Sequence, residues 1–207
     1  MLNGINDPHS ACVIVLVKDF SGAKTRLATA LDPDQRRSLA IHNARLAFRA
    51  ARIGTLALAV CGSESAAHEA LTSGLFPLLE REPKGQNQAA ELGLEYALGQ
   101  GAKCALVLSS DLPLITSDDV VEMIRAGQLL GPKATLVAPA IGRGGTNALY
   151  LAPPDVIGLH FGANSLPKFE AEAAALGIRF GRFESPRLAL DLDEPSDLQL
   201  LAELTGR

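Results

Sequence analysis

The sequence predicts an α/β fold in which a mostly parallel sheet carries helices on both faces. Three observations lead there. Strand-like runs such as Ala11-Cys12-Val13-Ile14-Val15-Leu16-Val17 and Ala105-Leu106-Val107-Leu108 are apolar without alternation, as strands covered on both faces are. These runs take turns with segments of helical pattern as far as residue 138, across short connections, which is the βαβ signature. Glycine or proline punctuates the pattern, as at Gly54, Gly99, Gly101 and Pro113.

The elements follow in order. Ala11 to Val17 is a β-branched run and reads as the first strand, with the polar loop Lys18 to Leu27 after it. A helix fits from Pro33, a residue favoured early in helices, to Ile53, with Leu39, Leu46 and Ile53 on one stripe and Gly54 as its stop. Thr55 to Cys61 reads as a strand, Ser63 to Leu71 as a short helix, Leu75 to Leu79 as a third strand and Gln88 to Leu98 as a helix. The strand Ala105 to Leu108 comes next, then a helix from Ser117 to Ala126 and a strand from Ala134 to Ala138. After Pro139 the texture changes. A glycine-rich loop, Ile141 to Thr146, leads into a strand, Asn147 to Leu151. Asn164-Ser165-Leu166-Pro167 opens a helix that ends at Gly177, with Ser165 suited to the N-cap. Ile178 to Phe183 and Arg187 to Leu190 read as strands, and a last helix starts at Pro195. No repeat, linker or low-complexity segment interrupts this order, so one domain over residues 1–207 is expected.

Composition narrows the function. With 47% hydrophobic residues and a mean hydropathy of +0.17, the chain has the material for a core. It has no tryptophan, 4% aromatics and a net charge of −4, which argue against a nucleic-acid partner. The charge is uneven: residues 1–60 hold eight Lys/Arg against four Asp/Glu, a local +4 that leaves −8 elsewhere. A basic first third on an acidic chain points to a confined anion site, such as one for phosphates. Cys12, Cys61 and Cys104 lie in or beside apolar runs without metal-ligand spacing, as buried thiols of a reducing cytoplasm would. No secretory signal is visible, and no apolar run approaches the ~20 residues of a membrane helix, so a cytoplasmic protein is expected.

Chemistry gathers at three places. Asp111 follows a buried strand through Ser109 and Ser110, and Pro113 stops that strand. An acid just past the carboxyl end of a parallel strand sits where open α/β sheets bind ligands, although it could equally cap a turn. Lys18, Lys24 and Arg26 occupy the loop after the first strand, a common phosphate position. It is not a Walker A loop, and a solvated basic loop is the plain alternative. In Asp191-Leu192-Asp193, residues two apart on an extended segment face the same way, so both carboxylates point together while Leu192 packs inward. Adjacent carboxylates repel unless a cation intervenes, and magnesium suits a site where phosphates supply further ligands. Asp197 has the simpler role of favouring a helix start beside Pro195.

Taken in order, Lys18-x5-Lys24-Thr25-Arg26-Leu27, Asp111-Leu112-Pro113, Gly145-Thr146-Asn147-Ala148-Leu149, Phe161-Gly162-x-x-Ser165 and Asp191-x-Asp193-x-Pro195-x-Asp197-Leu198 form a combination. It resembles the 2-phospho-L-lactate guanylyltransferase family, which makes a precursor of coenzyme F(420), and it runs from about residue 12 to 200. The resemblance implies a three-layer, nucleotide-diphospho-sugar transferase-like nucleotidyltransferase fold. It implies that GTP reacts with phosphoenolpyruvate, 2-phospho-L-lactate or 3-phospho-D-glycerate to give a guanylyl diphosphate and pyrophosphate. By the same resemblance Lys18, Lys24, Arg26 and Asn87 bind the nucleotide; Thr146, Gly162 and Ser165 bind the phospho-acid; Asp111, Asp191 and Asp193 hold magnesium; and Asp111, Asp193 and Lys24 are catalytic. Gly85-Gln86-Asn87 resembles the family's Gly-Leu-Asn with Gln86 departing, and Leu166 and Phe169 stand where an aromatic and a histidine are frequent. The implied partner is a downstream transferase that takes the product, and a homodimer is left open. Transfer of another nucleotide to a sugar phosphate or molybdopterin, and a catalytically inactive GTP-binding regulator, are the alternatives.

Overall fold

The computed structural model describes residues 11–142 and 144–206. The first ten positions of the expected domain, Arg143 of the glycine-rich loop and Arg207 lie outside the described residues.

Seven strands form one sheet: β1 (Cys12–Val17), β2 (Leu56–Cys61), β3 (Phe76–Leu79), β4 (Ala105–Ser109), β5 (Ala134–Pro139), β6 (Thr146–Ala152) and β7 (Arg179–Arg182). Their spatial order is β3-β2-β1-β4-β6-β5-β7, and every pairing is parallel except those of β6, which runs antiparallel between β4 and β5. The helices are α1 (Pro33–Ala51), α2 (Glu64–Thr72), α3 (Gln86–Gly99), α4 (Ser117–Leu130), α5 (Ser165–Leu176), α6 (Pro186–Ala189) and α7 (Pro195–Thr205). Caps fix several starts. At α1 the side chains of Asp32 and Gln35 each accept from the other's backbone N–H, Thr116 and Asp119 do so at α4, and the Ser63 hydroxyl accepts from Ala66 N at α2.

Neighbouring residues of β1 feed opposite cores, which is why the sequence of these strands does not alternate. Val13, Val15 and Val17 pack toward α1, α2, α4 and α6, while Cys12, Ile14 and Leu16 pack toward α3 and α5. Alanines make α1 fit closely: its buried face is Ala40, Asn43, Ala44, Ala47, Phe48, Ala50 and Ala51. The expected stripe of Leu39 and Leu46 lies half-exposed at the margin, and Ile53 falls beyond the helix end. Small residues permit a flat helix-on-sheet contact that leucines would hold apart. At Gly127 of α4 the approach is tighter still, since a Cβ there would lie 2.3 Å from the Tyr150 ring. Burial pushes the thiols of Cys12 and Cys61 up to about 12, so both are inert apolar fillers.

Two expectations are corrected. Residues 187–190 are not a strand: Pro186–Ala189 is a single helical turn, begun by Ser185, whose hydroxyl accepts from Leu188 N. Proline at the first helical position and serine before it outweigh the strand-like texture of Leu188 to Leu190. Ser165 is the first helical residue of α5 rather than its cap, because Asn164 takes the cap position in the left-handed conformation at φ 53°. Among the described residues, no helix is long and apolar enough to cross a membrane.

Candidate active site

Because β1 to β5 are parallel to one another and β6 is reversed, the carboxyl ends of β1–β5 share one sheet edge with the start of β6. A cavity of about 770 Å³ runs along that edge, a size typical of small-molecule sites. Lys18, Lys24, Arg26, Asp111, Thr146, Gly162, Asp191 and Asp193 all line it. Eight of the ten residues singled out from the sequence therefore meet in one place, brought from five separate stretches of chain.

Lys24 is the centre of the cavity floor. It is only 7% exposed, which sets aside the plain alternative of a solvated loop cation for this residue. Its backbone is left-handed at φ 59° and opens a short 3-10 helix, Thr25–Thr29, which buries Leu27 and turns the lysine inward. A non-glycine residue there carries strain, a common feature of functional turns. The ammonium lies 2.8 Å from Asp111 Oδ1 and donates to the Leu192 carbonyl. Leu192 N in turn donates to Asp111 O at 3.2 Å, so the Asp191–Asp193 segment is stitched to the end of β4. Leu192 is fully buried and both flanking aspartates face the cavity, as the two-residue spacing requires. Arg26 Nη1 reaches Asp193 Oδ2 at 2.8 Å. Asp197 accepts from Asp193 N and Glu194 N at 2.8 and 2.7 Å, the helix-start role expected of it.

The opposite wall is Thr146, Gly162 and their supports. Thr146 Oγ1 and Ser165 Oγ share a hydrogen bond of 2.7 Å. Ser165 is fully buried and is not part of the cavity wall, so it acts on the cavity through Thr146. Gly162, at φ +122°, gives the wall a backbone turn that a side chain would strain. Asn87 is placed differently from the expectation. Its amide is used on the Phe161 backbone, donating to the carbonyl at 3.2 Å and accepting from the N–H at 2.8 Å. It thereby straps α3 to the Gly162 turn, while Gln86, the departure from the family pattern, faces the cavity.

Two supports escaped the sequence reading. Asn147 is buried, and its Nδ2 donates to Leu188 O, Ala189 O and Asp191 Oδ1 at 2.9, 3.1 and 3.4 Å. Asp119, 1% exposed, receives Arg187 Nε at 2.9 Å on both oxygens and Ser185 Oγ at 3.3 Å. Burial alone would raise the Asp119 carboxyl, but hydrogen bonds from Arg187 and Thr116 hold it below the ordinary 3.8. Both residues anchor the turn that delivers Asp191 and Asp193. The available signal was Asn147 inside an otherwise apolar strand.

The residues fit a hard divalent cation in one respect: the donors offered by Asp111, Asp191 and Asp193 are all oxygens. Among the described residues no three carboxylates form a ready-made metal cage. A magnesium ion here would need phosphate oxygens to complete its shell, which is its usual mode of binding.

The sequence matches the model of the guanylyl transferase CofC-like family over residues 11–204. The chain belongs to this family. It is a nucleotidyltransferase of the guanylyltransferase type, as the resemblance implied. Similar proteins include the phosphoenolpyruvate guanylyltransferase of Rubrobacter xylanophilus, 38% identical over 95% of this chain and 96% of that one. The 2-phospho-L-lactate guanylyltransferase of Methanothrix thermoacetophila is 31% identical over 90% and 81%. The 3-phospho-D-glycerate guanylyltransferase of Colwellia psychrerythraea is 30% identical over 94% and 92%. Among solved structures, one described as a nucleotide-diphospho-sugar transferase from Desulfovibrio desulfuricans G20 superposes with a TM-score of 0.76 at 16% identity, covering 95% of this chain and 87% of that one. The guanylyltransferase carries the fold of that class.

Proposed function

We propose that this guanylyltransferase binds GTP and joins its GMP moiety to phosphoenolpyruvate, releasing pyrophosphate, as a step of coenzyme F(420) biosynthesis. One observation carries the reading: the basic loop, the three aspartates and the Thr146–Gly162 wall line the same cavity. The choice of acid is supported by the higher identity to a relative named for phosphoenolpyruvate than to those named for 2-phospho-L-lactate and 3-phospho-D-glycerate.

The chemistry asks little of the protein beyond placement. A phosphate oxygen of the acid attacks the α-phosphorus of GTP, the new P–O bond forms, and the bond to the β-phosphate breaks. The nucleophile is already an anion, so no general base is required, and the rate depends on alignment and charge neutralisation. Lys18 and Arg26, both exposed at the cavity, attract and hold the triphosphate. Lys24 presents a buried positive charge beside Asp111, where the α-phosphate would lie. Thr146 and the Gly162 turn hold the acid, with Ser165 fixing the Thr146 hydroxyl. Magnesium, held by Asp111, Asp191 and Asp193 together with phosphate oxygens, would offset charge on the α-phosphate and the departing pyrophosphate. The three buried thiols support a reducing, cytoplasmic setting, and a downstream transferase would consume the guanylylated acid.

A pyrophosphate-release assay pairing each common nucleoside triphosphate with each of the three acids tests this. Release with GTP and phosphoenolpyruvate above all other pairs is expected. Equal or greater release with another nucleotide or another of the three acids, or none with any pair, would refute it.

A further inference from the structure

The sheet edge sets an order on the cavity. Read across the strands, the lining residues are Glu80 after β3, Gly62 after β2, Lys18 after β1, Asp111 after β4 and Thr146 at the start of β6. Four strand spacings of about 4.8 Å separate the first from the last, or about 19 Å. The proposed acid wall occupies the β6 end and the cations occupy the middle. What remains for the nucleoside is the β2–β3 end, which Glu80 lines.

Glu80 is half-buried, and among the described residues no cation pairs with it. Its backbone N–H donates to Cys61 O at 3.0 Å, which fixes it against the end of β2. Gly62 and Gly85 add no side chain to that end, and Pro83, Gln86 and Ala89 complete its lining. A carboxylate facing a purine edge is selective by its chemistry: it can only accept hydrogen bonds. Guanine offers two adjacent donors, N1–H and the 2-amino group. Adenine offers a lone pair at N1, which a carboxylate repels.

We infer that Glu80 selects guanine by accepting hydrogen bonds from N1–H and the 2-amino group. The inference rests on the reading of the nucleotide as GTP and deepens it by naming the residue that reads the base. Burial raises the Glu80 carboxyl above its ordinary value, in keeping with an acceptor kept partly from water for a donor-rich ligand.

Equilibrium titration of the intact protein with GTP, ITP and ATP tests this without turnover, so its outcome is separable from that of the acid reading. ITP lacks only the 2-amino group. Wild type is expected to bind GTP about 10-fold or more tighter than ITP, the effect of one charge-assisted hydrogen bond. In Glu80→Ala the GTP:ITP ratio should fall toward one. In Glu80→Gln, which keeps the size and loses an acceptor, it should fall as well, and ATP binding should improve because the amide can donate to adenine N1. Should the alanine variant melt early, the glutamine variant gives the same comparison. A GTP:ITP ratio unchanged from wild type in a folded Glu80 variant would overturn the inference.

Discussion

Lys24 Nζ lies 2.8 Å from Asp111 Oδ1, joining the loop after β1 to the end of β4 beneath the cavity. The pair fixes a buried cation and a partly exposed anion in the cavity, where the proposed reaction would bring the phosphates together. Removing either should lower kcat for pyrophosphate release by about 100-fold or more, as loss of a preorganised charge contact does. Lys24→Met combined with Asp111→Asn should cost far less than the product of the single effects, since the two act as a unit. Steady-state kinetics of the three variants decides, and additive losses would argue that they act separately.

Salt should distinguish the buried cation from the exposed ones. Lys18 and Arg26 face solvent, so their attraction to the triphosphate is screened, whereas Lys24 is enclosed. GTP affinity should fall with ionic strength in wild type, fall less steeply in Lys18→Ala, and keep the wild-type slope in Lys24→Met. Calorimetry at low and high salt reads the slopes directly.

Ser165 sits behind Thr146 rather than in the cavity, and this sets the size of its effect. Ser165→Ala removes one neutral hydroxyl pair worth about 0.5–1.5 kcal/mol, so KM for the phospho-acid should rise about 2- to 10-fold. KM for GTP should hold. Equal changes in both constants would mean a general loosening instead.

Much of this was readable beforehand because the decisive residues obey local rules. The strands of the parallel portion are apolar on both faces, and helix starts carry Asp32, Ser63 and Thr116. Asp191 and Asp193 share a side because Leu192 must be buried between them. What escaped depends on contacts distant in sequence. Nothing near Asn87 reveals that its amide binds Phe161, 74 residues away. Nothing near Lys24 reveals that Leu192, 168 residues away, draws it inward. The turn at Pro186–Ala189 went unseen because apolar texture suggested a strand, and only Ser185 and Pro186 betray it.

That turn yields a pH prediction. The Asp119 carboxyl is held below 3.8 in the folded protein, so its ionised form adds stability above that value, lost as pH falls through the folded pKa. Arg187→Met leaves the buried carboxylate with fewer partners and should destabilise at neutral pH by about 1–3 kcal/mol. The gap between variant and wild type should close at acid pH, where Asp119 is protonated in both. Denaturant titrations at pH 7 and in the acid range check the trend; a gap independent of pH would assign the loss to packing.

The fate of the α-phosphate tests guanylyl transfer most directly. With GTP labelled at the α-phosphorus and phosphoenolpyruvate as acceptor, the label should move into a GMP–acid diphosphate adduct. Label at the γ-phosphorus should leave in pyrophosphate, and both transfers should be slowed by about 100-fold or more in Asp111→Asn. Recovery of the α-label only in GTP, GDP or free GMP would contradict guanylyl transfer at this site.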